Sequence, residues 1–109
     1  MSDAIPEIDV AELARRREEG AFVLDVRNES EYVTGHVPGA VLIPLDELGG
    51  RMGELPGGQQ LLVICRSGAR SATAVEALRG AGYDATNVSG GTLDWLEAGY
   101  DVVEGPDAG

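Results

Sequence analysis

The chain has no lysine, and among its 109 residues it has a single cysteine, a single histidine and a single tryptophan. All eight basic residues are arginine, set against 19 acidic residues for a formal charge of −11. A surface this acidic repels nucleic acid and anionic membranes, so neither is expected as a partner. The acidity reads as solubility. A lone cysteine cannot form an internal disulfide, which agrees with a reducing compartment. With one Cys and one His in the whole chain, no metal site is expected, and no cofactor either. No apolar run approaches the roughly 20 residues that span a bilayer. The first residues, MSDAIPEID, are acidic and lack the basic and apolar regions of a signal peptide, so the expected location is the cytoplasm. There is no internal repeat and no long linker. The length fits one small domain over residues 1–109, and 43% hydrophobic content is enough for a core.

Short β-like and helical patterns alternate along the chain, which argues for an α/β domain with a largely parallel sheet. Ile8 belongs to a short first strand. Asp9 then reads as an N-cap, with Glu12 completing a capping box for a helix over Val10–Glu19 that stops at Gly20. Phe22–Val26 reads as a buried strand. Asn28 with Glu31 forms a second box, opening a short helix that ends near Gly35. Ala40–Ile43 is the next strand, Asp46–Leu48 a helical turn, and the Gly/Pro-rich residues 49–60 a surface loop. Leu61–Cys65 is the most apolar strand and so should be central. A helix over Arg70–Ala81, a strand over Ala85–Val88 and a last helix over Thr92–Ala98 follow. The core spans residues 5–103, and the tail 104–109 is expected to fray.

The single cysteine ends the central strand, in VICRSGARSA. In open parallel α/β sheets ligands bind beyond the carboxyl ends of the strands. Here the chain turns at that point into a helix. Its backbone N–H groups can converge inside the turn, and helix N-termini attract negative charge. Ser67 and Gly68 suit a tight curl, because Gly68 can take positive φ without penalty. A thiol in such a cradle ionises easily, and the thiolate is the nucleophile. Arg66 and Arg70 add positive charge for an anionic substrate. Charges beyond roughly 8–10 Å are screened, so this local field can outweigh the global −11. Against these readings stand plainer ones: Cys65 as a small buried hydrophobe, Arg66 pointing to solvent, Arg70 fixing the loop by a salt bridge. Burial alone does not explain two arginines and a glycine in the five positions after Cys65.

The segment VICRSGARSATAVEALRGAGYDATNVSGGTLDW resembles the active-site half of a rhodanese domain, and VLDVRNESEYVTGHVPGAVLIP resembles its front half. The resemblance covers about residues 5 to 103. It implies a rhodanese-like three-layer α/β/α fold, with a five-stranded, mainly parallel sheet and helices on both faces. It also implies a sulfurtransferase, in which Cys65 takes a sulfane sulfur from a small anionic donor such as thiosulfate, becomes a persulfide, and passes the sulfur to cyanide, a thiol or a protein. Arg66, Ser67, Gly68, Ala69 and Arg70 would then form the cradle. The chain has one copy of the domain and keeps the cysteine, as in the stand-alone, catalytically complete type. With no second cysteine to resolve the persulfide, the acceptor must be external.

Asp25 and Arg27, at the end of a strand near the loop, could support the site; a structural ion pair is the reading preferred here. His36 reads as a hydrogen-bonded turn residue, Trp95 as core, Gly90 and Gly91 as a turn, and Arg15–Glu19 as a mixed-charge helix end. Three rival functions stand beside sulfur transfer: a redox sensor, a partner-binding module, and a cysteine phosphatase or arsenate reductase. Phosphatase loops have five residues between Cys and Arg, whereas this one has four, Arg66 to Ala69. The smaller pocket suits a sulfur atom better than a tetrahedral oxyanion. No aspartic acid is evident as a leaving-group acid.

Overall fold

The computed structural model describes residues 4–109. In chain order the elements are β1 (Glu7–Ile8), α1 (Val10–Glu18), β2 (Phe22–Asp25), α2 (Glu29–Tyr32), β3 (Val41–Leu42), α3 (Leu45–Arg51), a 3-10 turn (Met52–Glu54), β4 (Gln60–Ile64), α4 (Ala69–Gly80), β5 (Asp84–Val88) and α5 (Gly91–Glu97). The five strands form one sheet in the order β1-β5-β4-β2-β3, and every pair is parallel. β4 takes the middle because neither of its faces tolerates water: Leu61, Leu62, Val63 and Ile64 are all fully buried.

Strand alternation divides those side chains between two layers. Leu61 and Val63 pack with Leu48 of α3 and with Ala74, Val75 and Leu78 of α4. Leu62 and Ile64 pack with Leu13 of α1 and Trp95 of α5. The result is a three-layer α/β/α sandwich, as the resemblance implies. Its topology brings the carboxyl ends of β2, β4 and β5 to one edge, where Asp25 ends β2 and Cys65 follows β4.

Three local expectations fail. Asn28 and Glu31 form a complete capping box, but at α1 only Asp9 does its part, accepting from Glu12 N at 2.9 Å. The Glu12 carboxylate is drawn instead to Arg15 and Arg16, because charged donors outcompete a single backbone N–H. Residues 49–60 are not all loop. Helix α3 runs through Gly49 and Gly50 to Arg51, followed by the 3-10 turn. Buried Leu48 anchors α3, and Arg51 pairs with both Glu47 and Glu54, which offsets the low helix propensity of two glycines.

The tail after Val103 is docked rather than frayed. Val103 and His36 exchange backbone hydrogen bonds of 3.0 and 2.9 Å. Gly105 N donates to Val33 O at 2.9 Å and Gly39 N to Ala108 O at 2.7 Å. Fully buried His36 lies 2.8 Å from Tyr32 O through Nδ1 and 2.8 Å from Asp107 O through Nε2, with its ring stacked on Tyr32. A tail with so many long-range partners has no reason to detach.

Candidate active site

Cys65 follows the last residue of β4, and the chain reverses through residues 66–68 into α4. Gly68 caps that helix with φ +107°, a conformation only glycine adopts without strain. The curl turns the backbone inward. Gly68 N donates to Cys65 Sγ at 3.1 Å, and the Ser71 hydroxyl lies 3.3 Å from the same sulfur. The carbonyls of this segment point the other way, into α5. Thr92 N donates to Cys65 O at 2.9 Å, Thr92 Oγ1 to the same oxygen at 3.0 Å, and Leu93 N to Arg66 O at 3.0 Å. With its carbonyls held outside, the loop presents donors to the thiol. The approach is so close that a Cβ on Gly91 would lie 2.5 Å from Cys65 O and 2.6 Å from Arg66 O.

Burial pushes the Cys65 thiol up, but hydrogen bonds from the loop outweigh it, among them those from the backbone N–H groups of Ser71, Gly68 and Ser67. The thiol ends below its ordinary value. The position at the positive end of a 12-residue helix works in the same direction. The sulfur is 1% exposed as part of its residue and sits at the floor of the loop.

A family model of the Rhodanese-like domain matches residues 9–98. The chain belongs to the rhodanese-like family. It is 33% identical over 102 residues to a sulfurtransferase of Allochromatium vinosum, covering 91% of this chain and 95% of that protein. It is 42% identical to part of an HTH-type transcriptional regulator of Mycobacterium tuberculosis, again over 91% of this chain. The chain spans about half the length of two of the curated relatives it matches, 45% of that regulator and 52% of a Bacillus subtilis protein. Among solved structures, a rhodanese-related protein of Thermoplasma volcanium superposes with a TM-score of 0.84 at 37% identity, covering 90% of this chain and 97% of that one.

In this rhodanese-like domain the residues singled out by sequence gather at one edge but do different things. Gly68 shapes the cradle and its N–H points to the sulfur; Ser67 also contributes an N–H, and Ala69 opens α4. Arg70 grips Glu31 of α2 through both terminal guanidinium nitrogens, at 2.6 and 2.8 Å. This pair holds the Glu31 carboxyl down at about 2, and it fixes the loop to α2. Asp25 and Arg27 form a buried ion pair at 2.8 Å, and Arg27 also donates to Gly35 O. The pair braces the turn carrying α2, and Arg27 also lines the cleft that Arg66 lines. Arg66 is exposed and, among the described residues, makes no ion pair. It lines a cleft of about 180 Å³ with Glu31, Thr34, Leu93 and Leu96.

Four contributors escaped the sequence reading: Ser71, Asn87, Glu31 as the anchor of Arg70, and the start of α5. Two of them left a trace: the salt bridge expected of Arg70 is made, with Glu31 as its unnamed acidic partner, and α5 showed in the Gly90–Gly91 pair and the helix expected over Thr92–Ala98.

Proposed function

We propose that this rhodanese-like domain is a sulfurtransferase that carries a sulfane sulfur on Cys65. The observation that carries the reading is the setting of the thiol. Its sulfur lies against inward-facing N–H groups at the start of α4, 3.1 Å from Gly68 N, with the loop carbonyls engaged elsewhere. Such a site stabilises an anionic sulfur, whether the attacking thiolate or the outer sulfur of a persulfide.

The Cys65 thiolate attacks the outer sulfur of thiosulfate. A Cys–S–S bond forms, the bond to the sulfite group breaks, and sulfite leaves with the electron pair. Cyanide or an acceptor thiolate then attacks the outer sulfur of the persulfide. It departs as thiocyanate or a new persulfide and regenerates the Cys65 thiolate. Charge balances in both steps and no oxidant is consumed. Arg66, without an ion-pair partner among the described residues, is the cation that meets an incoming anionic donor. A cytoplasmic setting fits this cycle, since acceptor thiols must be reduced.

The phosphatase reading loses ground on Arg70. A phosphate would need that guanidinium fork, and Glu31 already occupies it. Thiocyanate formation from thiosulfate and cyanide tests the proposal. The protein should turn over many times, Cys65→Ser should fold and form no thiocyanate, and neither should hydrolyse an aryl phosphate. A protein that takes up one equivalent of oxidant at Cys65 without any turnover would be a redox sensor instead.

A further inference from the structure

Behind Cys65 runs a chain of polar contacts that the transfer reaction does not call upon. Ser71 Oγ lies 3.3 Å from Cys65 Sγ and 2.5 Å from Asn87 Oδ1. Ser71 is fully buried and Asn87, on β5, is 1% exposed. On its other side the Asn87 amide nitrogen lies 2.9 Å from Glu7 Oε2 and 3.2 Å from Gly68 O.

Counting donors fixes this network. A carboxylate oxygen and a carbonyl oxygen can only accept, so the atom of Asn87 that faces both must be its NH2 group. The amide oxygen therefore faces Ser71 and can only accept. A hydroxyl has one proton, so at 2.5 Å the Ser71 O–H is committed to Asn87. Toward the sulfur, Ser71 then offers lone pairs, which suit a neutral S–H and not a thiolate.

We propose that Asn87 is a positioning residue for the Cys65 thiol: its amide, oriented by Glu7 and Gly68 O, engages the single hydroxyl proton of Ser71 and withholds it from Cys65 Sγ. When the thiol loses its proton to solvent, the Ser71 O–H stays on Asn87 Oδ1, and the thiolate goes without that hydroxyl donor. The backbone donors of the loop remain available throughout. In a persulfide the charge moves to the outer sulfur and Sγ is neutral, so the Ser71–Asn87 bond can stay made. Asn87 thus disfavours the empty thiolate relative to the loaded site. That last consequence rests on the sulfur-transfer reading; the thiol's own titration does not.

The other charged groups around the thiol, among the described residues, are the Arg70–Glu31 and Asp25–Arg27 pairs, Arg66, and Glu7 beyond Asn87. Every substitution below leaves these charges in place.

The test is the pH profile of alkylation by iodoacetamide, which reports the thiolate whether or not the protein transfers sulfur. The midpoint is read rather than the plateau, because intrinsic nucleophilicity falls with thiol pKa. In Asn87→Leu the freed hydroxyl turns to the sulfur, the midpoint moves down, and the thiolate fraction below the midpoint rises about tenfold or more, as for one hydrogen bond to a charged group. Ser71→Ala alone changes that fraction by less than about twofold, because the lost hydroxyl was already committed. In the Ser71→Ala background, Asn87→Leu changes nothing further. An Asn87→Leu midpoint that stays put or rises overturns the proposal, as does a loss of thiolate beyond twofold in Ser71→Ala. If Asn87→Leu does not fold, the Ser71→Ala profile decides alone.

Discussion

Arg66 and Arg70 lie four positions apart, yet one is exposed and the other is paired with Glu31. Arg70 spends its guanidinium on Glu31, so its charge serves the loop's anchorage. The sign of the pH effect follows from the carboxyl. Glu31 is lowered from 4.5 to about 2 when folded, so the pair's stabilisation is complete above pH 4.5 and is lost as pH falls toward 2. The pair is partly exposed, so Glu31→Gln should cost no more than about 1 kcal/mol at pH 7. Urea midpoints at pH 7 and pH 3 should show the gap to the unsubstituted protein narrowing in acid; a gap that widens contradicts this role. Arg66 has no such partner among the described residues. Arg66→Ala should raise the KM for thiosulfate roughly two- to fivefold with little change in kcat, an effect that shrinks with added salt. Unchanged KM at low salt would leave Arg66 a bystander.

At the scale of elements, the site is a contact between the start of α5 and the loop before α4. Gly91 is where the two backbones meet. A methyl group there would press on two carbonyl oxygens at φ +56°, so Gly91→Ala must push α5 away from the loop. The expected cost is about 1–3 kcal/mol, with slower sulfur loading because the carbonyls of Cys65 and Arg66 lose their fixed outward aim. Thermal unfolding and loading rate measured together check this; normal values for both would contradict the clamp. This contact also marks the limit of what the sequence discloses. Cys65, Gly68, the central strand and the helix after it are local patterns, and the bare chain displays them. Ser71 and Asn87 meet across 16 positions, Glu31 and Arg70 across 39. Nothing in the local spacing of either pair signals the meeting, because the sheet order creates it. α3 was hidden for another reason: its glycines spoke for a loop, and packing of Leu48 with the arginine pairs overrode them.

For the molecule as a whole, the chain's last described residues close the fold around His36. Deleting residues 104–109 removes the partners of Val33 O, Gly39 N and His36 Nε2. The buried imidazole would lose its second partner, and the loss should reach about 1–3 kcal/mol in a urea titration. An unchanged midpoint would mean the docking contributes nothing. On the proposed reading Cys65 carries one sulfur atom at one edge of the sheet, and that is the claim to test most directly. The reduced protein is treated with thiosulfate and its intact mass recorded. The account predicts a gain of one sulfur atom, reversed by cyanide and absent in Cys65→Ser. A mass that does not change with thiosulfate or any other persulfide donor, while the thiol remains titratable, would contradict it.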